Sequence, residues 1–284
     1  MQNTKIEWAT KVWNVLTGCL NNCPYCYARQ IAKRFGGHYS EIMDGNGTGS
    51  AYNPPHLLLA PMEKETKKGF SRASFPYGFE PTFHKYRCNV GSLTSRTKEN
   101  VFVCSMSDLF HRDIPTEWIL EVMETAKKTR HNFLFLTKNP MRYYELFGSS
   151  TNRGLPASNF WLGATITDAK SLRSYEIAMN YLQPHNLPCK FFVSFEPLMQ
   201  RLKLPESRLD WVIVGMETGN RKDKSFTLPE WVRDIYIQCK NRNIPIFLKN
   251  NLEQSRKDIM FGGKPLSVLP QEMPIELLLN REIL

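Results

Sequence analysis

The sequence predicts an α/β fold in which about six to seven parallel strands form a partial or complete (β/α) barrel. Three observations support this prediction. Short, continuously apolar runs recur through the second two-thirds of the chain, segments of helical character lie between them, and a further strand and helix open the chain. A strand covered on both faces has such an apolar run, and repeated strand-then-helix units give a parallel sheet with right-handed crossovers. Whether the barrel closes is left open by the sequence.

The elements follow one another in a regular order. The first strand is predicted in KVWNVLTG, residues 11–18, and the helix after it in YARQIAKRFG, residues 27–36. Two further helices are predicted at residues 115–131, where Pro115 suits a first helical turn, and at residues 228–243. The later strands are predicted at residues 100–106, 132–137, 160–166, 190–196, 210–216 and 244–250.

We expect one domain over residues 1–284. The hydrophobic share of 42% is that of a globular protein with a substantial core. Residues at about 37–100 are rich in Gly, Pro and Ser and break the strand-helix rhythm, so they are predicted to form an irregular insertion. Residues at about 255–284 are predicted to form a C-terminal tail that packs back on the domain.

Charge and hydropathy suggest where the protein acts. The opening MQNTKIEWATKVW has charged residues where a signal peptide needs an apolar run, and no apolar segment approaches the roughly 18 residues of a membrane span. We therefore expect a cytoplasmic protein without membrane contact. The 37 Lys and Arg residues against 27 Asp and Glu give a net charge of +10. A basic surface of this size favours a polyanionic partner such as DNA or RNA, because each phosphate contact releases counterions.

Three of the seven cysteines lie within one short stretch, TGCLNNCPYCYAR, where Cys19, Cys23 and Cys26 form the pattern CxxxCxxC. A structural zinc site normally has four ligands, and the nearest further candidate is His38. A redox CxxC pair leaves Cys19 unexplained. Three clustered thiolates fit an iron–sulfur cube in which the fourth iron is open to another ligand. The other four cysteines are scattered singly, so disulfides are not expected.

CxxxCxxC with Tyr25 before its last cysteine, placed between a strand and a helix, resembles the radical S-adenosylmethionine (SAM) superfamily. The blocks IEWATKVWNVLTGC, VFVCSMSDLFH, FLTKNP, WLGATI, FFVSFEPL and DWVIVGMETG resemble successive blocks of a phage-associated branch of that superfamily. That branch often has Pro after the Trp-Asn pair and a longer linker between the first two cysteines. Here Val15 follows Trp13 and Asn14, and the cysteine spacing is the standard one of the superfamily.

The resemblance implies a cofactor and a chemistry. Cys19, Cys23 and Cys26 would bind a [4Fe-4S] cluster whose open iron is chelated by the amino and carboxylate groups of SAM. One electron, supplied by flavodoxin or ferredoxin, would cleave SAM to methionine and a 5'-deoxyadenosyl radical, which abstracts hydrogen from a C–H bond. The barrel would position this cofactor and exclude competing reactions.

In a β/α barrel, reactive groups lie at the carboxyl ends of the strands. The segment SMSD follows the second core strand, where the superfamily commonly has a Gly-rich segment that contacts SAM. The glycines are absent here, so backbone carbonyls with Ser107 or Asp108 are expected to take that role; the alternative for Asp108 is a helix N-cap. The residues expected to bind the cofactor are Tyr25, Ser105, Met106, Ser107, Asp108, Thr165, Ser194 and Gly215.

Charged residues at the ends of apolar strands are costly unless they are paired or face a cleft. Glu196 and Glu217 are predicted to hold ribose hydroxyls or substrate, and Lys138 and Lys249 to bind a carboxylate or phosphate. We treat these four as the candidate catalytic residues. The alternative is a Glu–Lys network that closes the barrel mouth.

Three functions remain open at the level of the sequence. The first is a radical SAM enzyme that modifies or repairs a nucleic acid base or a nucleotide, which the basic charge favours. The second is a radical SAM enzyme that acts on a small metabolite or a peptide. The third is a non-catalytic, metal-stabilised module that binds nucleic acid.

Overall fold

The computed structural model describes residues 1–35, 75, 78–148, 155–218 and 221–278. The helices are α1 Tyr27–Phe35, α2 Thr116–Lys127, α3 Met141–Phe147, α4 Ala169–Leu182 and α5 Pro229–Asn241. The strands are β1 Gln2–Asn3, β2 Lys11–Trp13, β3 Leu16–Thr17, β4 Thr82–Phe83, β5 Asn100–Val103, β6 Asn132–Thr137, β7 Phe160–Thr165, β8 Lys190–Phe195, β9 Trp211–Val214, β10 Ile246–Leu248, β11 Met260–Phe261 and β12 Lys264–Pro265. No helix among the described residues has the length and apolar character needed to cross a bilayer.

One sheet of eight strands dominates the fold, in the order β1-β2-β5-β6-β7-β8-β9-β10. Only β1 is antiparallel to its neighbour, so seven parallel strands remain. The predicted mostly parallel α/β sheet is therefore confirmed, and each of the six apolar runs forms a strand. A closed barrel is not seen, because β1 and β10 are the two edges of the sheet and, within the described residues, do not pair with each other.

The predicted first strand was wrong as a single element. KVWNVLTG divides into β2, which belongs to the large sheet, and β3, which pairs antiparallel with β4 in a separate small sheet. The backbone hydrogen bonds show where the segment divides. Cys104 N–H donates to Trp13 O, which continues the pairing of β2 with β5. Val15 O accepts instead from His84 N–H, just after β4. Residues 15–17 therefore pair with residues 82–84 and not with the large sheet.

The sheet is strongly curved. The Trp8 ring lies 4.7 Å from Phe102 on β5 and 6.2 Å from Trp211 on β9, measured between ring centroids. Three strands separate β5 from β9, so one side chain touches both only if the sheet wraps around it. A Cβ at Gly163 would lie 2.2 Å from the Phe192 ring, which shows how tightly the concave side is filled. The second apolar core, much larger, lies between the convex side and the helices.

The two irregular segments are partly described. Of the predicted insertion, residues 36–74 and 76–77 lie outside the described residues; residues 78–99 contain β4 and two short 3-10 turns, at Lys85–Arg87 and Val90–Leu93. The C-terminal segment contains a 3-10 stretch, Asn250–Asp258, and the β11–β12 hairpin. It then returns to the sheet, where Gln271 pairs with Phe247 of β10 and Leu277 is buried in the concave core.

Candidate functional site

A cavity of about 790 Å³ opens at the carboxyl ends of the parallel strands. A pocket of this size holds a drug-sized ligand. Of the residues predicted from the sequence, only Gly215 does not line it. Those that do are Cys19, Cys23, Cys26, Tyr25, Ser105, Met106, Ser107, Asp108, Lys138, Thr165, Ser194, Glu196, Glu217 and Lys249.

The cysteine loop is fastened to the end of β5 by its first residues. Gly18 N–H donates to Met106 O at 3.0 Å, and the Ser107 hydroxyl donates to Gly18 O at 2.5 Å. Gly18 has φ +80°, and a Cβ there would lie 2.1 Å from the backbone oxygen of Glu80. Cys19 N–H donates to Phe79 O at 3.0 Å, so the loop is held between two backbone segments.

The three thiols are half-buried on the wall of the cavity. Asn21 N–H points at Cys19 Sγ (3.5 Å) and Arg29 N–H points at Cys26 Sγ (3.4 Å). Burial raises the pKa of Cys19 to about 12, and burial also raises the pKa of Cys23, although Lys138 opposes it. Unliganded, Cys19 and Cys23 therefore hold their protons at neutral pH, and a bound metal must displace those protons.

The described part of the chain contains no cluster of three His, Cys, Asp or Glu side chains already gathered around a point that could hold a metal ion. The donor set nevertheless fits an iron–sulfur cluster. Three thiols come from one loop, they face the same cavity, and backbone N–H groups are directed at two of the sulfurs. Hydrogen bonds of this kind stabilise thiolate ligands.

Asp108 joins the cysteine loop to the sheet. Its carboxylate accepts from Asn21 Nδ2 and Thr137 Oγ1, both at 2.7 Å, and from the backbone N–H groups of Lys138 (2.9 Å) and Phe110 (3.1 Å). The alternative interpretation, a helix N-cap, is wrong, because a turn rather than a helix follows it. Both oxygens are used within the protein, so its side chain positions the loop.

Lys138 is close to the second cysteine. Its Nζ donates to the Tyr25 hydroxyl at 3.1 Å and lies 5.1 Å from the centre of the Tyr25 ring. Burial lowers the pKa of Lys138, but Tyr25 and Cys23 outweigh it and the pKa is raised overall. The lysine therefore stays protonated and presents a fixed positive charge beside the thiols.

Glu196 and Lys249 form an ion pair on the cavity wall, just after the ends of β8 and β10. Gly215 lies behind it: a Cβ there would be 3.0 Å from Lys249 Cδ and 3.3 Å from Glu196 Cδ. The glycine thus leaves room for the pair, which agrees with the predicted Glu–Lys network. Both side chains remain partly exposed to the cavity, at 26% and 15%.

Glu217 does not point freely into the cavity. Its carboxylate accepts from Arg221 Nε (2.7 Å) and Nη2 (2.8 Å) and from Ser225 N–H (2.9 Å), and its side chain is only 1% exposed. This pairing with Arg221 lowers the pKa of Glu217 to about 2. Both oxygens of Glu217 are occupied within the protein, so the residue positions a loop, and its predicted role in holding ribose hydroxyls or substrate stays a prediction.

Replacing Glu217 with glutamine is expected to reduce the dependence of stability on pH. A folded-state pKa below the usual 4.5 contributes stability above about pH 4.5 that is lost as the pH falls towards 2. We expect the substitution to cost about 1–2 kcal/mol at pH 7, because Arg221 is partly solvated, and only about a quarter of that near pH 2.5. Urea unfolding at several pH values measures this. The matched control is Glu206→Gln, an exposed loop carboxylate; an equal pH profile for both variants would contradict the assignment.

Two polar groups on the cavity wall have no partner among the described residues: the Ser194 hydroxyl, which was predicted to bind the cofactor, and the Trp8 indole N–H, which sequence reasoning did not assign to the site. Buried polar groups are normally hydrogen-bonded, so each such group calls for an explanation. Both residues line the cavity, where a ligand would supply the missing partner.

Comparisons with solved structures gave low similarity. A cysteine-to-alanine variant of spore photoproduct lyase with a dinucleoside spore photoproduct is 12% identical with a TM-score of 0.44, over 84% of this chain and 62% of that chain. A second spore photoproduct lyase complex with that ligand is 11% identical, with the same TM-score and coverage. A tyrosine-to-phenylalanine variant is 12% identical with a TM-score of 0.42, over 96% and 70%. The chain thus spans less than two thirds of the first two proteins.

A comparison with curated proteins found no match. The phage association stays a prediction. One protein family does match by sequence, over residues 3–265, which is most of the chain. The chain therefore belongs to the family described as "Protein of unknown function (DUF5131)".

Proposed function

We propose that the chain is a radical SAM enzyme. Cys19, Cys23 and Cys26 hold a [4Fe-4S] cluster, SAM is its second cofactor, and flavodoxin or ferredoxin supplies the electron. The observation that carries the proposal is the placement of three thiols, from one loop, on the wall of a large cavity at the carboxyl ends of parallel strands. A closed four-ligand zinc site would not leave a coordination position open towards such a cavity.

The residues around the thiols fit this role. When bound, the cluster and SAM would supply reductive cleavage of SAM and a radical that abstracts hydrogen. Backbone N–H groups of Asn21 and Arg29 stabilise the thiolates, and Asp108 fixes the loop to β6. The half-buried cation of Lys138 favours any added negative charge beside Cys23, because charges interact more strongly in a partly desolvated cavity than in bulk water.

The cavity wall at the carboxyl ends of β7, β8 and β10 is suited to hold SAM or substrate. Thr165, Ser194, Glu196 and Lys249 provide hydroxyl, carboxylate and ammonium groups there. The unpartnered hydroxyl of Ser194 supports a ligand with a polar edge at this position. The segment Ser105–Ser107 contributes less than we expected, because two of its groups, Met106 O and the Ser107 hydroxyl, already bond to Gly18.

For the substrate we favour a nucleic acid base or a nucleotide, which would be modified or repaired. The net charge of +10 supports a polyanionic partner, and the cavity is open along the carboxyl edge of the sheet. A small metabolite or a peptide is the alternative substrate for the same chemistry.

Anaerobic reconstitution with iron and sulfide, followed by SAM and dithionite, tests the proposal by chromatography for 5'-deoxyadenosine. We expect the product, and we expect more of it with DNA, RNA or nucleotides than with peptides or simple metabolites. A protein with a full, reducible cluster that yields no 5'-deoxyadenosine with any of these additions would instead support the non-catalytic binding module.

A further inference from the structure

Residues 221–226, which precede α5 in the chain, lie next to residues that line the cavity. We call residues 221–226 the rim loop. Buried Glu217, which lines the cavity, holds both ends of it through Arg221 and the backbone N–H of Ser225. The Thr227 hydroxyl donates to Leu198 O at 2.8 Å and fixes the exit of the loop to the segment after β8. The rim loop is therefore anchored at Arg221, at Ser225 and at Thr227 just after it, next to a residue that lines the cavity.

The rim loop exposes an aromatic ring close to two lysines. Phe226 is 69% exposed, the most exposed aromatic side chain among those described, and a large apolar ring held in water needs an explanation. Lys222 and Lys224 are also exposed, and neither forms an ion pair with a described residue. Asp223, between them, acts on Arg221: after Glu217, it is the second charge that raises the pKa of that guanidinium.

We propose that the rim loop binds a single-stranded or locally unpaired polynucleotide, with a base stacked on Phe226 and phosphates at Lys222 and Lys224. The inference rests on the proposed function, since it names the substrate class of the same cavity. Proteins that bind single strands combine backbone-tracking cations with aromatic rings on which bases stack. A flat, exposed ring within two to four residues of two cations has this combination.

The position of the rim loop beside the cavity is what connects nucleic-acid binding there to the candidate site. Ser225 N–H lies 2.9 Å from the carboxylate of Glu217, a residue that lines the cavity, so Phe226, the next residue, is close to the cavity wall. A strand with one base stacked on Phe226 would therefore run close to the cavity. Because Glu217 orders the loop in advance, little conformational entropy is lost on binding.

Fluorescence anisotropy with a labelled oligothymidylate of about 20 nucleotides tests this on the reconstituted full chain. Phe226→Ala is expected to weaken binding about tenfold at all salt concentrations, the loss of one stacked base. Lys222→Ala with Lys224→Ala is expected to lower the slope of log K against log salt by about 1.4, two phosphate contacts at about 0.7 each.

Matched controls lie at the opposite end of the sheet. Lys98→Ala with Lys128→Ala removes the same charge from exposed sites before β5 and after α2, and Tyr181→Ala removes a 55% exposed ring near the end of α4. Both controls should bind as the native protein does. Equal losses in control and rim-loop variants, or no loss in either, would overturn the inference.

The inference and the proposed function can fail separately. SAM cleavage by a native protein whose oligonucleotide binding ignores the rim-loop variants would overturn the inference alone. Binding that depends on Phe226 in a protein that never cleaves SAM would overturn the proposed enzyme activity and leave the inference about the rim loop standing.

Discussion

Replacing Cys23 with alanine is expected to abolish formation of 5'-deoxyadenosine, a loss on the order of a thousandfold or more, or about 4 kcal/mol in the barrier. Cys23 is the middle thiol of the loop, and the half-buried cation of Lys138 acts on it, lowering the pKa of the thiol against the larger effect of burial. A cluster held by two protein thiolates in place of three would be bound less firmly, and its open iron would not be presented to SAM in one fixed position. Chromatography of single-turnover reactions, with iron counted per chain, measures the loss.

The control for this substitution is Cys88→Ala. Cys88 is buried, its sulfur faces Thr125 of α2 at 3.6 Å, and it does not line the cavity. Its removal should cost some stability and leave iron content and SAM cleavage intact. If the Cys23 variant cleaved SAM at the native rate, the thiol loop would not be the cluster site, and the proposed function would fail.

The parallel sheet could be predicted because its signal is local. Each central strand is a short apolar run, since both faces are covered. The ends of the strands could not be predicted from hydropathy: the run at residues 100–106 stays apolar to Met106, yet β5 ends at Val103 because Cys104 turns the chain with φ +57°. The division of KVWNVLTG was hidden for a related reason, since β3 pairs with β4, more than 60 residues later.

The candidate site likewise has features that the sequence predicts and features that it does not. The cysteine spacing lies within one loop, and the rule for strand ends needs only the order of strands, so these features were available from the sequence. The bond between Asn21 and Asp108 joins residues 87 positions apart, and no local pattern indicates it. The pairing of Glu217 with Arg221 did have a signal, because a carboxylate and a guanidinium four residues apart can meet in a tight loop.

Replacing Gly18 with alanine is expected to displace the cysteine loop and to reduce the iron bound per chain. The residue has φ +80°, which costs a residue with a Cβ about 1–2 kcal/mol. The new Cβ would also lie 2.1 Å from Glu80 O and 2.8 Å from Phe79 O, both backbone atoms that cannot rotate away. The clash therefore pushes Cys19 off the carbonyl of Phe79 that holds its N–H. With overpacking included, we expect a loss of about 2–5 kcal/mol in the free energy of unfolding.

Gly78→Ala separates the two causes of this loss. Gly78 also has a positive φ, +64°, in the segment next to the clash, but a Cβ there meets nothing within 4 Å. Its substitution should carry the conformational cost alone and should leave the iron content unchanged. Urea unfolding and iron analysis of both variants measure the difference. Equal losses of stability with full iron in both would show that the cysteine loop does not depend on its contact with Phe79 and Glu80, and that its fastening to the end of β5 is sufficient to hold the thiols.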